Sequence, residues 1–165
     1  MEETLVRHFK DILTEPQEEM QEEACRISNQ IPNMITRDQK LALMRAATIE
    51  EVEEVVKALK KNKALGLDGF PAEFYQAAWK FIGNDILEVV EESRRNQNVC
   101  PGLNATLLSL IPKTSKSDDP LGFRPIALCN VIYKIMSTLI VKRLKLMLPT
   151  IISQNKQGLW RADRS

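Results

Sequence analysis

Hydrophobic positions along the chain recur at spacings that assign most of it to regular elements. Leu5, Phe9, Ile12 and Leu13 share one helical face and predict a helix over 4–15, ended by Pro16. Residues 17–30 are dense in Glu and Gln and read as a solvated helix or linker, broken between Asn29 and Asn33 by Pro32. Thr48 opens the clearest helix. Its hydroxyl and Glu51 three residues on have the spacing of a capping box, and Ile49, Val52, Val55, Val56 and Leu59 then fall on one face. Glu50, Glu51, Glu53 and Glu54 crowd its first turns, where the helix dipole favours negative charge. A Gly-rich loop at 61–69 leads to Pro71, and a helix over 71–82 buries Phe74, Ala78, Phe81 and Ile82. Gly83 ends that helix and Asn84 caps another over 85–95.

The pattern then changes period. Ala105 to Ile111 is an aliphatic run and Phe123 to Leu128 a second, with the polar segment Lys113–Gly122 between them, which predicts two strands joined by a loop. Leu128 to Leu148 is the longest regular segment, closed by Pro149. Ile132, Ile135, Met136, Leu139, Ile140, Leu144, Leu146 and Met147 form its apolar arc. Arg143 falls inside that arc and needs a carboxylate or carbonyl partner, expected from the N-terminal helices. The fold class that follows is α+β, mostly helical, with one β-hairpin.

Composition narrows this picture. A chain of 165 residues with 44% hydrophobic content can bury one core. The net charge of +1 hides an asymmetry. Residues 1–60 carry 8 Lys/Arg against 13 Asp/Glu, a balance of −5; residues 61–165 carry 15 against 9, a balance of +6. A polyanionic partner therefore suits the later segment. Cys25, Cys100 and Cys129 are scattered and His8 is the only histidine, which argues against zinc and disulfides and fits an intracellular location, nuclear or cytoplasmic. No apolar run approaches the ~20 residues of a membrane span, and no membrane partner is expected. Tyr75 and Trp79, at helical spacing, read as core rather than as base-stacking platforms.

Candidate chemistry is cationic. Lys113 and Arg124 flank the hairpin loop from neighbouring strands, and an ammonium beside a guanidinium suits phosphate oxygens. Lys61 and Lys63 precede the Gly66–Asp68–Gly69 turn. They read either as contacts to a nucleic-acid strand or as a basic helix end before a turn. Lys116, in the hairpin loop, is a further candidate. No pair of carboxylates is set for metal: Asp118 and Asp119 sit in a polar turn and Asp68 between glycines.

The run Leu110-Ile111-Pro112-Lys113, followed by Phe123-Arg124-Pro125-Ile126 and Leu128-Cys129-Asn130, resembles the fingers segment of LINE-type reverse transcriptases. These are the polymerases of non-LTR retrotransposons, and plant members look most similar. Asn62 to Phe70 is similar to the family's N-K-A-P-G-x-D-G-F, with Leu65 in place of proline. Pro101–Thr106 and Lys142–Lys145 also match in order. The resemblance implies a right-hand polymerase fingers portion over 61–165 preceded by a helical extension over 1–60. It implies RNA, DNA and deoxynucleotide as partners, with Lys113 and Arg124 toward the incoming triphosphate. The family's palm aspartates and Y/F-x-D-D run do not occur here, so the chain is expected to be inactive alone and to bind no cofactor. Mg²⁺ is expected only in a complete domain. The other expectation is a non-catalytic nucleic-acid-binding module or an inert relic.

Overall fold

The computed structural model describes residues 2–14, 22, 24–26, 35–114 and 119–151. The stretch read as a linker at 17–30, its break at 29–33, Lys116 and Asp118 lie wholly or largely outside them. The described elements are α1 (Glu2–Leu13), α2 (Arg37–Met44), α3 (Ile49–Ala58), α4 (Ala72–Asn96), a single turn α5 (Pro101–Asn104), β1 (Thr106–Pro112), a 3₁₀ turn (Pro120–Gly122), β2 (Phe123–Cys129) and α6 (Val131–Ile151). β1 and β2 form a two-stranded antiparallel sheet, so the class is α+β and mostly helical. Contacts divide the chain into two compact units: Met1–Asn33 with Leu108–Ile126, and Met34–Leu107 with Ala127–Ser165.

In the first unit, α1 turns Phe9 inward while Ile12 and Leu13, on the same predicted stripe, stay exposed. Phe9 meets the His8 ring edge-on at 5.1 Å, and α1 lies against the Pro120–Gly122 turn. His8 is thereby a packing residue.

The second unit holds the core, built from α3, α4 and α6. Thr48 and Glu51 form the predicted capping box: Glu51 N–H donates to Thr48 Oγ1 at 3.3 Å and Thr48 N–H to Glu51 Oε2 at 3.1 Å. The α3 face then buries Val52, Val55 and Val56 almost completely. Each such side chain contributes about 1.5–3 kcal/mol relative to exposure. They pack against Tyr75, Ile86 and Val90 of α4 and Val131, Ile135, Met136 and Leu139 of α6.

Two expectations need correcting. Gly83 does not end a helix, because α4 runs unbroken from Ala72 to Asn96. Gly83 is buried there, and a Cβ at this position would stand 3.1 Å from the Trp79 ring. The missing side chain admits an indole one turn back; it does not mark a stop. The buried stripe is also rotated. Phe81 is 86% exposed and Phe74 exposed, while Tyr75, Ile86 and Val90 are buried, a face visible only once the two half-helices are read as one. Pro149 likewise lies within the last turn of α6 instead of closing it, and Ile140 and Leu146 of the predicted arc are exposed.

Candidate nucleic-acid interface

The hairpin takes its register from its ends. Thr106 Oγ1 lies 3.6 Å from Cys129 Sγ at the base, and Lys113 N–H donates to Gly122 O at 2.8 Å at the loop. Residues opposite one another are thus 106 with 129, 111 with 124, and 113 with 122. Alternation along each strand then sets Lys113 and Arg124 on one face as diagonal neighbours. The loop end is ordered by short-range bonds. Asp119 Oδ1 accepts the Leu121 N–H at 3.0 Å, and Gly122 N–H donates to Asp119 O at 2.8 Å. Lys113 Nζ donates to Leu121 O at 2.7 Å, which occupies one of its three N–H groups. Arg124 is exposed, and its side chain makes no hydrogen bond or ion pair among the described residues.

The Asn62–Phe70 loop belongs to the second unit, and backbone N–H groups donating to carboxylates and to one buried amide hold it. Asn62 N–H donates to Glu73 Oε1 at 2.7 Å. The Asp68 N–H donates to Asn130 Oδ1 at 3.2 Å, and the Asn130 amide donates in turn to Gly102 O at 3.1 Å and Leu103 O at 3.3 Å. Asn130, fully buried where β2 passes into α6, therefore ties the loop to α5. Gly66 makes that approach possible: a Cβ there would fall 2.4 Å from Asn130 Oδ1 and 2.5 Å from its Cα. Gly69 N–H closes the turn onto Gly66 O at 3.2 Å, with Gly69 at φ +72°, which suits glycine. Asp68 Oδ1 accepts the Phe70 N–H at 3.1 Å, and its carboxylate faces the Tyr75 hydroxyl. Burial, with the Asp68 charge beside it, pushes the Tyr75 hydroxyl up to about 12.

The loop's cations stay at the surface. Lys61 is exposed near Glu73. Lys63 lines a small cavity with Lys60 and Lys134, neither of which the sequence reading singled out. A signal for Lys134 was present: it lies in the first turn of α6, where the dipole disfavours a cation. Asn130 was marked only within the resemblance, in Leu128-Cys129-Asn130; its role as one amide joining three segments has no sequence spacing.

Among the described residues, no group of three or more His, Cys, Asp or Glu side chains is arranged to hold a metal ion. Asp68 and Asp119 each accept a backbone N–H that holds a turn together. No helix among the described residues is long and apolar enough to cross a membrane.

Arg143 meets the partners expected of it. Its guanidinium donates to Leu43 O at 3.2 Å, Arg45 O at 2.6 Å and Ala46 O at 3.0 Å, and pairs with Glu51 at 2.9 Å. Arg94 and Glu91 of α4 hold the same segment from the other side, through Met44 O at 3.0 Å and Ala47 N–H at 2.7 Å.

No protein-family model matches the chain. It is similar to the transposon TX1 uncharacterized 149 kDa protein of Xenopus laevis, 29% identical over 119 residues. The match covers 72% of this chain and 9% of that protein, so the chain spans less than a tenth of that relative's length.

Proposed function

We propose that this chain is the fingers portion of a reverse transcriptase from a non-LTR retrotransposon, and that its own part is to grip phosphates. Similarity to a transposon-encoded protein supports the origin. The observation that carries the biochemical reading is the hairpin, whose register sets Lys113 and Arg124 on a shared face. One is a point charge with N–H groups to spare, the other a planar fork that can bind two oxygens at once. Together they suit the triphosphate of a deoxynucleotide.

The joining reaction requires metal-bound carboxylates, and this sequence carries no Y/F-x-D-D run to supply them. The chain's role under this reading is binding, with catalysis left to residues outside it. Deoxynucleotide binding, measured by fluorescence with a labelled triphosphate, tests the assignment. The Lys113→Ala, Arg124→Ala double variant is expected to lose at least about tenfold in affinity. Unchanged affinity removes the hairpin from the site. Primer extension on an RNA template with Mg²⁺ should give no product above background, and extension would overturn the division of labour.

A further inference from the structure

A cavity of about 180 Å³ lies within the second unit, walled by Leu59, Lys60, Lys63, Ala64, Pro71, Ala72, Val131 and Lys134. Its wall carries three lysines and no carboxylate. Drug-sized ligands occupy about 300–1,000 Å³, so this volume suits a single small group. We propose that the cavity binds one phosphate group, presented by a nucleic-acid strand. The inference extends the nucleic-acid reading above but stands on residues separate from the hairpin.

The surrounding groups decide the sign of the ligand. Lys60 and Lys63 are exposed and make no ion pair or hydrogen bond among the described residues. Lys134 reaches only the Ala64 carbonyl, at 3.4 Å. The negative end of α3 approaches this wall at Leu59, but Gln76 Nε2 takes its carbonyls, donating to Val56 O and Leu59 O at 3.0 Å. Glu73, the carboxylate in the first turn of α4, is held by the Asn62 N–H and its own backbone N–H. Two helices also begin at the cavity. Pro71 gives α4 no side-chain cap, and Asn130 directs its amide to Asp68, Gly102 and Leu103 instead of to the start of α6. The positive start of α6, which has no acidic residue in its first turn, and three ammonium groups thus converge on one small space, and an anion of phosphate size is the complement. Lys134 accounts for its own place: a cation in a helix's first turn opposes the dipole unless an anion joins both.

The test uses the full chain and a 12-nucleotide single strand, made with a 5′-phosphate and with a 5′-hydroxyl, followed by anisotropy across a salt series. The Lys60→Gln, Lys63→Gln, Lys134→Gln variant is compared with Lys57→Gln, Lys80→Gln, Lys145→Gln, which removes the same charge from elsewhere in the unit. The cavity variant is expected to bind about tenfold more weakly at ~0.1 M salt and to flatten the log–log salt slope by ~0.7, one phosphate contact. The distributed variant should lose much less. Equal loss on both oligonucleotides assigns a backbone phosphate; a native preference for the 5′-phosphate that the variant abolishes assigns a terminal one. Equal loss in the two lysine variants, or none in either, overturns the proposal. So does inorganic phosphate shifting the Ala72 and Val131 amide resonances while the oligonucleotides leave them unmoved, since the ligand is then the free ion. Melting curves check folding, and Lys60→Gln and Lys63→Gln singly, both at exposed positions, repeat the measurement if the triple variant melts early. Hairpin variants leave this comparison unaffected, so failure of either site is read separately.

Discussion

Two loops of the second unit are anchored at opposite ends of α6, one through arginine side chains and the other through its own backbone. Residues 43–47 are held by charge: Arg143 and Arg94 donate to their carbonyls, Glu91 accepts the Ala47 N–H, and Glu51 pairs with the Arg45 side chain. Residues 62–70 are held through their own backbone, by the Asn130 amide, by the Glu73 carboxylate and by close packing on Gly66, with none of the loop's lysines used. The difference decides what each region has left for a partner. In the first, every arginine already faces an oxygen. In the second, anchors that act on the backbone leave Lys60 and Lys63 at the surface without an ion pair among the described residues, and Lys61 exposed near Glu73.

The strongest way to break the contrast is Gly66→Ala. Its Cβ meets backbone as well as the Asn130 side chain, so neither can give way, and a loss of about 3 kcal/mol is expected in urea unfolding, with weaker oligonucleotide binding as the lysine loop is displaced. Arg143→Met comes next. It leaves Glu51 and three carbonyls without their partner in a half-buried place, at a cost of about 2–3 kcal/mol, yet it should leave phosphate binding unchanged. A variant as stable as the native chain would show that Arg143 only fills space.

Smaller effects sharpen the picture. Although burial alone would raise it, the Glu51 carboxyl is held below the ordinary range by Arg143, by the Thr48 N–H and by Arg45. Glu91 is held down first by Arg94. A depressed carboxylate stabilises the fold above its unfolded value, about 4.3, and that contribution fades as pH falls through the lower folded value. The melting temperature should therefore fall below about pH 4, and Glu51→Gln should blunt the fall. Tyr75 runs the other way: stability drops between about pH 10 and 12, as the unfolded chain ionises first. Tyr75→Phe should remove the late step in the tyrosinate absorbance titration.

How much of this was legible in the sequence followed from the range of the interaction. The capping box at Thr48 and Glu51, the two strands and the awkward position of Arg143 each rest on residues within a few positions of one another, and the structure has them. Gly83 misled because a glycine's local preference to end a helix, worth about 1 kcal/mol against alanine, is smaller than the gain from seating Trp79 over it. Within the lysine cavity only Lys63 was marked, since Lys60 and Lys134 come together across more than 70 positions of chain.

Glu51 carries a consequence for how this protein tolerates change. One carboxylate completes the cap of α3, binds Arg45 at 2.5 Å and receives Arg143 from α6. Substitutions at 45, 48 and 143 therefore share a single acceptor, and their effects should not sum. Double-mutant cycles among these four positions should return coupling energies of about 0.5–3 kcal/mol. A lineage that lost this glutamate would feel little further pressure to keep Arg45, whereas Arg143 would still serve three backbone carbonyls.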